Sequence, residues 1–187
     1  AVNVLLANGE TCLAGGIGDD YGLFRGTNDT RFQVLPYDLD TVMGRGLTET
    51  PPTNGIWQMT ALPVLNRFMK EPELARLYCR ELKRLAVTDF APGRMDPFID
   101  QVLGVDVPQG ARETFKAFNS NRVQQVLAMI PQELTVQHGL ATNQGYLFSA
   151  SASVALRGSA PLGETRAVLV NGAAAGYSAW EGRWTNQ

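Results

Sequence analysis

The sequence predicts an α+β protein, and three observations carry that reading. Two strand-like runs flank the turn-rich Gly26-Thr27-Asn28-Asp29-Thr30, the pattern of a hairpin within residues 18–40. From Met59 the apolar period becomes helical, with Leu62, Leu65, Phe68 and Met69 at three- and four-residue intervals. After Thr142 the chain returns to short strand-like runs, at 151–156, 166–170 and 177–180, separated by a Gly/Pro-rich stretch at 158–163 and by Asn171-Gly172.

The elements follow in order. Pro72 suits the first turn of a helix that carries Leu74, Leu77, Tyr78, Leu82 and Leu85 on one stripe and Arg76, Arg80, Lys83 and Arg84 on the other. A further helix starts near Pro92, buries Met95, Phe98, Ile99 and Val102, and stops at Gly104; another runs from about Arg112 to Ile130 and ends before Pro131. This helical layer separates the hairpin from a β module of three or four strands, fewer than the seven or so of a complete immunoglobulin-like sandwich.

Composition narrows the class of function. Sixteen Lys+Arg against 18 Asp+Glu give a net charge of -2, so no broad basic field exists to gather nucleic acid or an anionic membrane. No apolar run approaches the roughly 20 residues needed to span a bilayer. Two cysteines, Cys12 and Cys79, are too few for a disulfide framework. The chain opens on Ala1 without an initiator Met, and we expect it to be the middle of a longer protein.

The chemistry concentrates in the hairpin. Asp19, Asp20, Asp38 and Asp40 lie on its two runs, and in an extended backbone Asp38 and Asp40 share a face while Leu39 points away. That arrangement is a cradle for a hard cation. The alternative is that Asp38 and Asp40 tie down the turn into Thr41-Val42-Met43-Gly44. Gly15-Gly16-Ile17-Gly18 is either an anion-binding nest or a simple turn. His138, the single histidine, lies in a polar stretch without ligand spacing around it, and no Gly-x-Ser-x-Gly elbow occurs. Trp180 and Trp184 either form a sugar-stacking platform or belong to a β core.

These residues carry a resemblance. Residues 2–11 (Val-Asn-Val-Leu-Leu-Ala-Asn-Gly-Glu-Thr), the run Gly18-Asp19-Asp20-Tyr21-Gly22-Leu23-Phe24-Arg25, and Pro36-Tyr37-Asp38-Leu39-Asp40 with Gly44 resemble the spore coat protein H (CotH) kinase-like family. That family shows a helix ending in an Asn-rich loop, an Asp/Asn-Asp/Asn-Tyr strand and a Pro-aromatic-Asp-Leu-Asp metal motif. The likeness continues through the helices to about residue 134, including an Arg near the position of Arg122. The tail resembles bacterial immunoglobulin-like modules. The expected organisation is a kinase-like carboxy-terminal lobe over 1–134, a linker over 135–150 and a partial β-sandwich over 151–187.

The resemblance implies an atypical protein kinase that transfers the γ-phosphoryl of ATP to Ser or Thr of a protein, with Mg (or Mn). It implies a location at the cell surface or outside. Such chemistry needs a divalent cation to neutralise phosphate charge and a carboxylate to orient the acceptor hydroxyl. Asp38 is the first metal ligand expected and Asp40 the second, since Mg²⁺ is commonly held by one or two carboxylates with phosphate oxygens and water. Asp20 either joins them or hydrogen-bonds the loop. Glu10 stands where many family members place the catalytic Asp, with its carboxylate displaced by about an ångström, a shift that weakens alignment; its alternative is a surface charge at a helix end. Asn8 is its expected hydrogen-bonding partner. Tyr37, where a Trp is frequent, either stacks on adenine or is a core aromatic. The strand Lys and phosphate-covering loop of a kinase amino-terminal lobe are expected upstream of Ala1, so the fragment alone is expected to be inactive. The competing class is a catalytically inactive, kinase-like extracellular scaffold for adhesion, and a third is a calcium-stabilised structural domain, which Ca²⁺ alone would stabilise.

Overall fold

The computed structural model describes residues 1–11, 21–46 and 50–186. It contains helices and several small antiparallel sheets, the mixed α+β class expected from the sequence. The chain divides into two compact units, one of Ala1–Phe68 with Glu81–Met129, the other of Met69–Arg80 with Ile130–Gln187.

In the first unit the chain opens with α1, Val2–Leu5. It ends in a Schellman motif: Asn8 N–H donates to the Asn3 carbonyl (2.9 Å) and Ala7 N–H to the Val4 carbonyl (3.2 Å). Ala7, at φ 51°, holds the left-handed position where glycine is usual. Strands β1 (Tyr21–Arg25) and β2 (Phe32–Pro36) pair antiparallel from Tyr21↔Pro36 to Arg25↔Phe32. Their turn is fixed by Asp29, whose carboxylate accepts from the Arg31 backbone (3.0 Å) and guanidinium (2.7 Å). That guanidinium holds the Asp29 carboxyl below its ordinary range. Nearly every residue of the ribbon is exposed.

The helical layer is α2 (Pro63–Met69), α3 (Pro72–Val87), α4 (Pro92–Leu103) and α5 (Gln109–Met129). The existence of each helix follows from the sequence period, but two buried faces do not. On α3 the buried stripe is Ala75, Arg76, Cys79, Leu82, Leu85 and Ala86, while Leu77 is exposed. The covered side uses small residues, and Arg76 joins it by pairing its guanidinium with Glu73 at 2.7 Å while its aliphatic stem is buried. On α4 only Ile99 is buried, and Phe98 and Val102 remain exposed.

Two polar ties join α4 and its preceding turn to α5. Asp100 accepts from Lys116 (2.8 Å) and from Arg112, and this cationic pair, Lys116 foremost, keeps its carboxyl below the usual range. Asn119, buried, donates to the Phe90 carbonyl at 2.9 Å.

The second unit carries a four-stranded antiparallel sheet of order β3 (Gln137–His138), β6 (Leu156–Ser159), β10 (Arg183–Asn186) and β9 (Gly176–Ser178). Two hairpins accompany it, β4 (Ala141–Asn143) with β5 (Tyr146–Phe148), and β7 (Leu169–Val170) with β8 (Ala173–Ala174). Asn171 and Gly172 form the expected tight turn, both at positive φ (51° and 81°). Gln144 and Gly145 repeat it at 49° and 84°, a hairpin the strand reading passed over because Gln is not a usual first residue there. Residues 151–155 are not a strand; pairing begins at Leu156, and β10 extends the sheet beyond the expected last run. Trp184 packs with Ala160 and Val168 as the core of this unit.

Candidate functional site

The first predicted segment is held from below by hydrogen bonds. Asn8 is 1% exposed, and its side-chain oxygen accepts from the backbone N–H of Glu10 (3.1 Å) and Thr11 (3.2 Å). The turn that carries Glu10 therefore has its geometry set by Asn8 through the Glu10 and Thr11 backbone. The Asn8 carbonyl accepts in turn from Gln58 Nε2 at 3.4 Å. Glu10 itself is partly exposed.

Behind α1 lies a buried cation that sequence reasoning noted only by position. Arg122 on α5 is 0% exposed. Its Nε donates to the Val4 carbonyl (2.9 Å), and its Nη1 to the carbonyls of Pro52 (2.7 Å) and Asn54. A guanidinium offers five donors in a fixed plane, and here they gather the Val4 carbonyl of α1, which also accepts from Ala7 N–H, with the part-buried carbonyls of Pro52 and Asn54. Its neighbours Asn121, Val123, Gln124 and Gln125 give little apolar contrast, so the sequence signal was the resemblance, which places an Arg near this position.

The second segment is the loop after β2. The strand ends at Pro36 and Asp38 has φ 45°, so strand alternation does not set Asp38 and Asp40; a tight loop does, and Leu39 is exposed as well. Thr41 is 1% exposed, and the Met43 N–H donates to the Leu6 carbonyl at 2.7 Å. That bond uses a helix-end carbonyl of α1 to seat the Asp38–Asp40 loop beside the Asn8 turn. Two glycines close the loop. A Cβ on Gly44 (φ 71°) would stand 2.7 Å from Phe118 Cε2, and one on Gly46 (φ 89°) would stand 2.6 Å from Thr41 Cγ2 and 2.8 Å from the Asp40 carbonyl oxygen. Only glycine fits either place.

The carboxylates of Asp38 and Asp40 are exposed, and among the described residues neither enters an ion pair. Among the described residues, no three His, Cys, Asp or Glu side chains come together as a metal cage. Two exposed carboxylates on one loop suit Mg²⁺ or Mn²⁺, which take part of their shell from phosphate and water, better than a cation that demands a full set of protein ligands. Tyr37 is 70% exposed beside them, so it is not a core aromatic. Asp20, Asp19, Cys12 and Gly15-Gly16-Ile17-Gly18 lie outside the described residues.

Other candidates fall away. Cys79 is a free thiol, fully buried, and burial pushes it up to about 12, which removes the thiolate a nucleophile requires. Trp180 and Trp184 do not share a stacking platform, because Trp184 is 3% exposed and donates to the Ser159 carbonyl at 3.2 Å. Trp180 instead receives Lys70, 5.4 Å from its ring centroid. Among the described residues no helix is long and apolar enough to cross a membrane.

No curated protein and no solved structure gives a match. Among known families, the description "CotH kinase protein" matches residues 1–126, a span that holds both segments of the candidate site, Arg122 behind them and the helices that seat them. With two thirds of its length so matched, the chain belongs to the CotH kinase family.

Proposed function

We propose that this chain carries the metal- and nucleotide-holding part of a protein kinase that moves the γ-phosphoryl group of ATP to a Ser or Thr hydroxyl of a protein. The observation that supports it best is the Met43–Leu6 hydrogen bond, which seats the Asp38–Asp40 loop next to the Asn8–Glu10 turn although some 30 residues separate them in sequence. Family membership supports the reaction class.

In this reading a bound Mg²⁺ or Mn²⁺ supplies neutralisation of phosphate charge. Asp38 would hold it, with Asp40 as second ligand, and Asp20 either joins them or hydrogen-bonds the loop. Glu10 accepts a hydrogen bond from the acceptor hydroxyl and takes its proton as the phosphoryl group leaves ATP. Asn8 acts on Glu10 by fixing its backbone. The exposed Tyr37 ring offers a face for adenine. The organisation proposed is a kinase-like part over 1–134 and an immunoglobulin-like β module over 151–187, at the cell surface or outside, with the stretch 135–150, expected as linker, contributing β3 to the module's sheet.

The test is transfer of labelled γ-phosphate from ATP by the full-length protein, with and without Mg²⁺, beside Glu10→Ala and Asp38→Ala. Label incorporation that requires Mg²⁺ and is lost in both variants is expected. ATP bound without any transfer would overturn the kinase reading and leave a nucleotide-binding scaffold.

A further inference from the structure

Arg45 follows the two carboxylates on the same loop, and the proposed chemistry gives it no task. The loop returns on itself at this point, with the backbone at Gly46 lying against the Asp40 carbonyl. Arg45 is one Cα step away, about 3.8 Å. Its guanidinium stands over the Phe115 ring, Cζ 5.9 Å from the centroid. Phe115 and Phe118 lie one turn apart on α5, so the helix face that meets Gly44 also supports Arg45.

A guanidinium stacked on a ring keeps its N–H donors in its own plane, free to reach an anion beside the ring. Arg45 is exposed, and among the described residues it forms no ion pair with a carboxylate, Asp38 and Asp40 included. Charge bookkeeping points the same way. Two carboxylates offset one divalent cation, which leaves the charge of a polyphosphate to be met by other groups, and the fork of an Arg matches phosphate oxygens. We infer that Arg45 is a substrate-contacting residue that donates to the phosphate chain of the nucleotide held at the Asp38–Asp40 loop, with Phe115 as its positioning partner. This inference rests on the nucleotide reading of that loop.

The experiment is calorimetric titration of the full-length protein with Mg-ATP and with Mg-tripolyphosphate. The unmodified protein is compared with Arg45→Gln, Arg45→Lys, Phe115→Leu and Asp38→Ala, and each is also melted without ligand. Arg45→Gln is expected to raise Kd for both ligands about 10- to 100-fold with an unchanged melting temperature, an effect that shrinks as salt is raised. Arg45→Lys keeps the charge without the fork and loses less; Phe115→Leu falls between them. If Arg45→Gln binds both ligands as tightly as the unmodified protein while Asp38→Ala does not, the role of Arg45 is overturned and the nucleotide reading stands. If the unmodified protein binds neither ligand, both are overturned.

Discussion

The Asn8–Glu10 turn and the Asp38–Asp40 loop are drawn together by the bond from Met43 N–H to the Leu6 carbonyl, yet they are held by opposite means. The turn sits on buried polar groups: Asn8 and Arg122 are 1% and 0% exposed, and between them they hold two backbone N–H groups and three carbonyls. The loop is held by backbone shape, through positive φ at Asp38, Met43, Gly44 and Gly46, while its carboxylates stay in solvent. A buried polar network costs stability when any member is lost. Exposed carboxylates cost almost nothing to remove and remain available to a cation. The comparison therefore separates residues that build the site from residues that work in it.

The largest effect should come from the buried side. Arg122→Met removes the guanidinium donors from the fully buried Arg122 site, leaving Val4 only its Ala7 partner and the part-buried Pro52 and Asn54 carbonyls without the bonds it supplies, which we expect to cost about 2–4 kcal/mol in urea unfolding. A cost below about 1 kcal/mol, within the range of ordinary surface changes, would mean that water reaches those carbonyls.

The next variant lies between the two regions. Gly46→Ala forces a Cβ onto Asp40 and Thr41 at a φ that L residues avoid, with an expected cost of about 1–3 kcal/mol. Because the strain falls on Asp40, weaker Mg²⁺-dependent nucleotide binding should accompany the lost stability. Unchanged binding with lowered stability would place Asp40 outside the metal site.

What the sequence made legible follows the same division. The helices were visible because apolar side chains recur at a fixed period, and Asn171-Gly172 announced its turn because few residues accept positive φ. The Pro36-Tyr37-Asp38-Leu39-Asp40 motif was legible as residue types, but its geometry was not. Alternation assumes an extended chain, and Asp38 at φ 45° leaves that conformation. The Gly46 constraint comes from contact with Thr41 and Asp40, which no local pattern records. Arg122 was visible only through the resemblance, since its sequence neighbours are mostly polar and the carbonyls it serves lie 68 to 118 residues away. Arg76 illustrates the converse: helical period assigns it to the solvent side, and its pairing with Glu73 lets its stem go inside.

The smallest effect, and the sharpest division between building and working, lies at Asp38 itself. A non-glycine residue in the left-handed region bears a conformational cost of about 1 kcal/mol, which glycine does not. Asp38→Gly removes an exposed side chain that makes no ion pair among the described residues, so little is lost from the fold. Glycine also gains freedom in the unfolded chain, which offsets part of the relief. The expected result is stability equal to the unmodified protein or up to about 1 kcal/mol higher, together with loss of Mg²⁺-dependent nucleotide binding. A protein destabilised by more than about 1 kcal/mol would show that the Asp38 carboxylate ties down the loop, a structural role and not a ligand's. Stability gained at the expense of binding would show that the chain keeps a strained residue at this place for its carboxylate.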